Sequence, residues 1–79
     1  MIIENLNQVV LNINEGDYLT ALTTYEDSVR PNINDLNESD FADLVPMLTE
    51  MNQYIDDENW QAALNHVAKI EQYLDHKSN

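Results

Sequence analysis

The sequence predicts an all-α protein made of two antiparallel helical hairpins. Apolar residues recur at steps of three and four along four separate stretches, which places them on one face of a helix. No stretch alternates apolar and polar residues over the length that a strand needs. The connections between the four stretches are short and polar, which favours antiparallel neighbours. We therefore expect a single domain over residues 1–79 that resembles a small four-helix bundle.

The first hairpin is predicted over residues 1–30. The apolar stripe of its first helix consists of Ile2, Ile3, Leu6, Val9, Val10 and Ile13. Gly16 then ends this helix, as glycine commonly does at a helix C-terminus. The apolar face of its second helix consists of Tyr18, Ala21, Leu22, Tyr25 and Val29. This helix ends at Arg30, because the residue before a proline is pushed out of the helical region.

A polar loop is predicted over residues 31–39, and the second hairpin over residues 40–76. Pro46 lies inside the apolar pattern of the third helix. Proline costs about 3 kcal/mol in a helix interior but is tolerated in the first turn. We therefore expect a short turn at Asp40–Asp43 and a helix that begins near Leu44.

The fourth helix is predicted after a tight break at the stretch "DDEN". Its apolar stripe runs from Trp60 to Leu74. The last four residues, "HKSN", are expected to form a fraying tail, since chain ends are commonly poorly ordered.

Two stretches of the chain are similar to each other at an offset of 42 residues: "EGDYLTALTTYEDSV" and "DENWQAALNHVAKI". The first has a Gly-Asp-Tyr turn, then small and aromatic residues at Ala21, Tyr25 and Ser28. The second has Asn59, Trp60 and Ala63 in the matching places. In these features residues 15–31 and 57–70 resemble the second helix of a tetratricopeptide repeat. The resemblance does not extend to the preceding helices, and it implies a peptide-binding scaffold.

The charge of the chain is strongly one-sided, with 15 acids against three bases and a net of −12. No cation lies between Arg30 and Lys69. Eight acids lie there and are named the acidic block: Asp35, Glu38, Asp40, Asp43, Glu50, Asp56, Asp57 and Glu58. Such a field repels nucleic acid and anionic membranes and attracts basic proteins.

The residues do not suggest catalysis or a cofactor. There is no cysteine, and none of the three serines lies in a nucleophile elbow. The single glycine, Gly16, rules out a phosphate-binding loop. His66 and His76 lack a glutamate at the spacing of a zinc helix, and we expect His66 to be partly exposed. The stretch "DLNESDFADLVP" lacks the glycine and the bidentate glutamate of a calcium loop. We therefore expect neither an enzyme nor a metal or cofactor site.

The chain is expected to be soluble and cytoplasmic. The opening stretch "MIIENLNQVV" has no basic region of the kind that starts a signal peptide. No stretch approaches the roughly 20 apolar residues that span a bilayer. The absence of cysteine suits a reducing compartment.

The residues allow two interpretations of the acidic block. It could be a solvated surface that keeps a small domain soluble, for which a net charge of roughly 2–8 is enough. It could instead imitate a phosphate backbone and occupy a basic groove. The net charge of −12 exceeds the need of solubility, and its self-repulsion opposes folding. This excess favours a functional use.

The third and fourth helices have apolar arcs wider than one packing seam needs. These arcs are read either as a deeper core or as an exposed apolar strip that grips a partner or a second copy. The predicted protein-binding residues are Asp35, Glu38, Asp40, Asp43, Asp56, Asp57 and Glu58 from the acidic block, and Met47, Met51, Tyr54 and Tyr73 from the helices.

The function we expect is that of a small acidic regulator that binds, and inhibits, a protein with a basic, nucleic-acid-binding surface. In charge and length alone, the chain resembles the DNA-mimic inhibitors made by phages. The alternative is a tetratricopeptide-like adaptor or a self-assembling module, including a homodimer. Salt discriminates the two, because charge-driven affinity falls with ionic strength and an apolar interface barely responds.

Overall fold

The computed structural model of the chain describes residues 2–78, and these form helices and turns without a strand. Its four α-helices are α1 (Ile2–Asn14), α2 (Tyr18–Thr24), α3 (Leu44–Asp56) and α4 (Trp60–Ser78). The radius of gyration is 11.4 Å, close to the roughly 12 Å expected for one compact domain of this length. The prediction of an all-α fold is confirmed.

The chain does not form a loop after α2. It continues as a π-helix, Tyr25–Val29, and then as a 3₁₀-helix, Arg30–Glu38. A bond from the Arg30 N–H to the carbonyl oxygen of Tyr25 closes the π-helical turn. The next residue, Pro31, has no N–H to donate. The Asn32 side chain donates to the carbonyl oxygen of Ser28 at 2.8 Å and so links the 3₁₀-helix to the π-helix.

Two apolar residues explain why the segment predicted as a polar loop is ordered. Ile33 and Leu36 are buried. They are three residues apart, and a 3₁₀-helix places such residues in one row. The 3₁₀-helix packs against α3, so this row joins the core.

The start of α3 agrees with the prediction. Residues 40–43 form a turn, and the helix begins at Leu44. Pro46 is the third helical residue, where its missing N–H would have had no partner inside the helix. The fourth helix differs from the prediction, because α4 continues through His76 and Lys77 to Ser78. Basic residues in the last turn of a helix interact favourably with the helix dipole. The last residue of the predicted tail, Asn79, lies outside the described residues.

The similarity between the two halves has a structural counterpart in the turns that follow α1 and α3. Gly16 has a φ of 80°, and Glu58, which is 42 residues later, has a φ of 54°. The N–H of Asp17 donates to Asn12 at 2.8 Å, and the N–H of Asn59 donates to Tyr54 at 2.9 Å. Each turn thus reverses the chain through a left-handed residue that closes the preceding helix.

The same turns also start the next helices in the same way. The Asp17 carboxylate accepts from the N–H of Thr20 at 3.3 Å. The Asn59 side-chain oxygen accepts from the N–H of Ala62 at 3.2 Å. Each side chain therefore caps a helix N-terminus and satisfies one of its free N–H donors.

The core draws on every helical element. Helix α1 packs against α2, the π-helix and α4, while α3 packs against α4 and the 3₁₀-helix. The buried apolar residues are Leu6, Val9, Val10, Ile13, Ala21, Tyr25, Val29, Ile33, Leu36, Leu44, Leu48, Met51, Ile55, Ala63, Val67, Ile70 and Leu74. Tyr25 is the largest side chain that is fully buried.

The Tyr25 hydroxyl is a polar group inside this core. It lies 3.0 Å from the carbonyl oxygen of Leu48 and also bonds to the side-chain amide of Asn52. Burial raises the pKa of Tyr25 well above its ordinary value. The neutral hydroxyl thus links the π-helix to the middle of α3.

Candidate protein-binding surface

Every residue of the acidic block is exposed. Asp35 and Glu38 lie on the 3₁₀-helix, and Asp40 and Asp43 lie in the turn before α3. Glu50 lies on α3, and the remaining three acids lie at or just beyond its C-terminal end. The block is therefore distributed around α3.

Arg30 neutralises one member of the block. Its guanidinium makes two parallel 2.8 Å bonds to the carboxylate of Asp56 and a third 2.8 Å bond to Glu26. The bonds to these two carboxylates raise the pKa of Arg30, and the same pairing lowers the pKa of Asp56. The carboxylate of Asp56, which is predicted to contact a partner, is thus already engaged by the start of the 3₁₀-helix, while the residue stays exposed.

The exposed carboxylate of Glu50 also has partners within the same chain. Its carboxylate lies 3.3 Å from Nδ1 of His66 and accepts from the Tyr54 hydroxyl at 3.0 Å. Nε2 of His66 lies 2.7 Å from the carbonyl oxygen of Met47. The bond to Glu50 raises the pKa of Tyr54.

His66 is buried, with 4% of its surface exposed, so the expectation of a partly exposed residue is wrong. Both of its ring nitrogens meet oxygens of α3, and its ring packs edge-to-face with the Tyr54 ring, with the two centroids 5.6 Å apart. A buried imidazole needs such partners. His66 thus joins α4 to α3.

Six acids of the block have no ion-pair partner within residues 2–78. They are named the unpaired acids: Asp35, Glu38, Asp40, Asp43, Asp57 and Glu58. Four of them precede α3 and two follow it. The unpaired acids thus lie on the 3₁₀-helix, which packs against α3, and in the two turns that flank α3.

The predicted apolar strip does not exist as one exposed surface. Met51 is 1% exposed and belongs to the core, so it is corrected from a binding residue to a packing residue. Met47, Tyr54 and Tyr73 are partly buried and pack against the core. The Tyr73 hydroxyl donates to the carbonyl oxygen of Asp40 at 3.4 Å. Met47, Tyr54 and Tyr73 therefore cover the edge of the core. The wide apolar arc of α3 is needed because α3 packs against both α4 and the 3₁₀-helix.

Among the cavities on the described part of the chain, two are open to solvent and well formed. The larger, of about 460 Å³, is lined by Ile2, Asn5, Asp27, Ser28, Asn32 and Asp35. The smaller, of about 240 Å³, lies between α1 and α4. Across the described part of the chain, no three histidine, aspartate or glutamate side chains converge in a way that could hold a metal ion.

The smaller cavity is lined by residues that were not predicted from the sequence to be functional. Helix α1 contributes Asn7, Val10, Leu11 and Asn14, and α4 contributes Glu71, Leu74 and Asp75. Leu11 is 51% exposed. A signal was available, because Leu11 lies outside the apolar stripe of α1, and a large apolar residue off the stripe of an amphipathic helix faces solvent.

None of the helices within residues 2–78 is both long enough and apolar enough to cross a membrane. No protein-family model, curated protein or solved structure matches this chain.

Proposed function

We propose that the chain is a small cytoplasmic regulator that binds the basic, nucleic-acid-binding surface of another protein and blocks it. The observation that carries the proposal is the set of six exposed acids with no internal ion-pair partner. The only arginine is used within the chain, on Glu26 and Asp56. The negative charge around α3 is therefore left for a partner.

The amount of charge supports mimicry of a nucleic acid. The longest dimension of the molecule is 29 Å, and a duplex of that length carries about 17 phosphate charges. The net charge of −12 is of the same order. A surface that is charged at this density attracts a basic groove from a distance and is screened by salt.

In this proposal, the domain consists of two antiparallel hairpins, α1 with α2 and α3 with α4. The equivalent turns at Gly16 and Glu58 and the packing between consecutive helices support this arrangement. In it, the unpaired acids lie on the 3₁₀-helix beside α3 and in the turns before and after α3.

The test is affinity capture from a lysate of the cell that encodes the chain, at low salt, followed by elution with duplex DNA. We expect nucleic-acid-binding proteins to be retained and then displaced by the DNA. A variant of the block, Glu38→Gln with Asp40→Asn and Asp43→Asn, should retain much less of them.

The matched control removes the same charge elsewhere, as Glu4→Gln with Glu15→Gln and Asp27→Asn. It should capture as the parent does. Equal losses in both variants would show that binding follows net charge alone, and the block would then serve solubility. Capture that survives both variants and moderate salt would favour the adaptor or self-assembly alternative.

A further inference from the structure

The groove between α1 and α4 combines an apolar floor with an acidic edge. Val10 and Leu74 are 5% and 6% exposed and form the floor, and Leu11 adds an apolar side chain that is half exposed. Glu71 and Asp75 line the α4 side. They are four residues apart on one helix face, at roughly 6 Å. The Glu71 carboxylate accepts from the side-chain amide of Asn14 across the groove at 3.5 Å, and none of the unpaired acids lines the groove.

The size of the groove indicates what can occupy it. Its volume is about 240 Å³, below the roughly 300–1,000 Å³ of pockets that enclose small molecules. It suits one large apolar side chain presented by another helix, the arrangement in which an amphipathic helix lies in a groove. The two carboxylates would meet cations placed one helical turn apart on that helix.

We propose that this groove docks a cationic amphipathic helix of a partner protein. A leucine-sized side chain packs on Val10, Leu11 and Leu74, and lysine or arginine side chains reach Glu71 and Asp75. Charge complementarity selects this occupant, because a second copy would bring another net charge of −12 to the interface. The groove is a different surface from the unpaired acids, so this inference goes beyond the proposed function and can fail or succeed without it.

The test is an NMR titration of the ¹⁵N-labelled chain with a synthetic helical peptide. The peptide, of about 14 residues, is acetylated and amidated and contains leucine, alanine and lysine, with leucine at steps of three and four. We expect the amide signals of Val10, Leu11 and Leu74 to shift most. A peptide with glutamine in place of every lysine should bind about tenfold more weakly.

Two pairs of variants separate the groove from the rest of the surface. Leu11→Ser should weaken the cationic peptide about tenfold by removing apolar contact, while Leu19→Ser should leave affinity unchanged. Leu19 is the matched control, because it is 76% exposed and lies on α2, outside the groove. Glu71→Gln with Asp75→Asn should weaken binding about fivefold at low salt, and Asp40→Asn with Asp43→Asn should not.

Several outcomes overturn the proposal. Signal changes confined to the unpaired acids would show that the peptide binds by general charge. Equal affinity of the parent and Leu11→Ser, or of the cationic and neutral peptides, would reject the docking chemistry. Light scattering that detects a dimer of the parent but not of Leu11→Ser would make the occupant a second copy.

Discussion

The rings of Tyr18 and Trp60 stack with their centroids 4.9 Å apart and their planes at 12°. Each residue is the first of its helix, α2 and α4, and the two are 42 positions apart in the internal similarity. The stack therefore joins the two similar halves of the chain at their equivalent turns. Aromatic pairs of this kind contribute about 0.5–1.5 kcal/mol beyond the area that they bury.

Replacement of Tyr18 by leucine should lower the free energy of unfolding by about 1 kcal/mol, because the stack is lost while an apolar side chain remains. Trp60 is the only tryptophan, so its fluorescence reports this contact directly. We expect its emission to change in the folded variant. Tyr73→Leu is the control and should leave the emission as it is. An unchanged spectrum in Tyr18→Leu would contradict the stacked geometry.

The two left-handed turn residues predict opposite effects of substitution. Gly16→Ala should cost about 1 kcal/mol, since alanine is strained at positive φ. Apart from Gly16 and its two chain neighbours, no heavy atom of the described residues lies within 4 Å of the added Cβ, so the backbone strain acts alone. Glu58→Gly should gain about 0.5 kcal/mol, because the strain released exceeds the added freedom of the unfolded chain.

Urea unfolding measures both turn variants. Glu58→Gln keeps the strain and removes the charge, so it separates the two effects. If Glu58→Gln stabilises the protein as much as Glu58→Gly, repulsion between acids, and not backbone conformation, is the cause.

The buried hydroxyl of Tyr25 predicts a cost for its removal. Tyr25→Phe keeps the ring but removes the buried hydroxyl and leaves the partly buried side chain of Asn52 without this donor. We expect a loss of about 1 kcal/mol, the typical contribution of one hydrogen bond. The measurement is the free energy of unfolding in urea. Tyr54→Phe is the matched control, because the Tyr54 hydroxyl bonds to an exposed carboxylate. A loss of the same size in both variants would contradict a special role for the buried bond.

The pairing of Arg30 with Asp56 predicts a pH-dependent contribution to stability. The folded-state pKa of Asp56 is lowered by Arg30 from its ordinary 3.8. The stabilisation is therefore fully present above pH 3.8 and is lost as the pH falls below it.

The thermal midpoint of the parent should accordingly exceed that of Asp56→Asn at neutral pH, and the difference should shrink in acid. Comparison of the two proteins cancels the repulsion among the other acids, which also weakens at low pH. Asp57→Asn is the control, since it removes a neighbouring charge that has no ion pair. A difference that stays constant down to pH 2 would contradict the ion pair.

The burial of Met51 predicts that it stabilises the fold. Met51→Ala should cost about 2–5 kcal/mol, because it leaves a cavity in the core. Met47→Ala should cost clearly less, since Met47 is only partly buried. The total stability of a domain of this length is roughly 4–12 kcal/mol, so helical circular dichroism in urea resolves the two variants. Equally small losses of unfolding free energy in both variants would contradict the burial of Met51.

The sequence predicted best those elements that depend on neighbouring residues. Helix periodicity, the break at Gly16 and the start at Leu44 follow from local backbone geometry, which residues a few positions apart determine. The 3₁₀-helix was missed because "NINDLNES" is polar in composition, and its order depends on Ile33 and Leu36 meeting α3.

The burial and ion pairing of the predicted binding residues could not be predicted from the sequence, because they depend on the tertiary structure. Met47 and Met51 lie one turn apart on a wide apolar arc, and only the position of α4 and the 3₁₀-helix decides which one is buried. Asp56 and Asp57 are adjacent acids, yet only Asp56 comes within reach of Arg30. Such outcomes depend on residues that are far apart along the chain.

The amino-acid sequence by itself determined four α-helices, the turns that bound most of them and a charge of −12. Helix spacing and ionisation are properties of short segments and of single side chains. Only the tertiary structure decided that His66 is buried, that Arg30 neutralises Asp56 and that Leu11 borders a groove. Packing decides these features, because burial and ion pairing require residues from separate elements to come together in space.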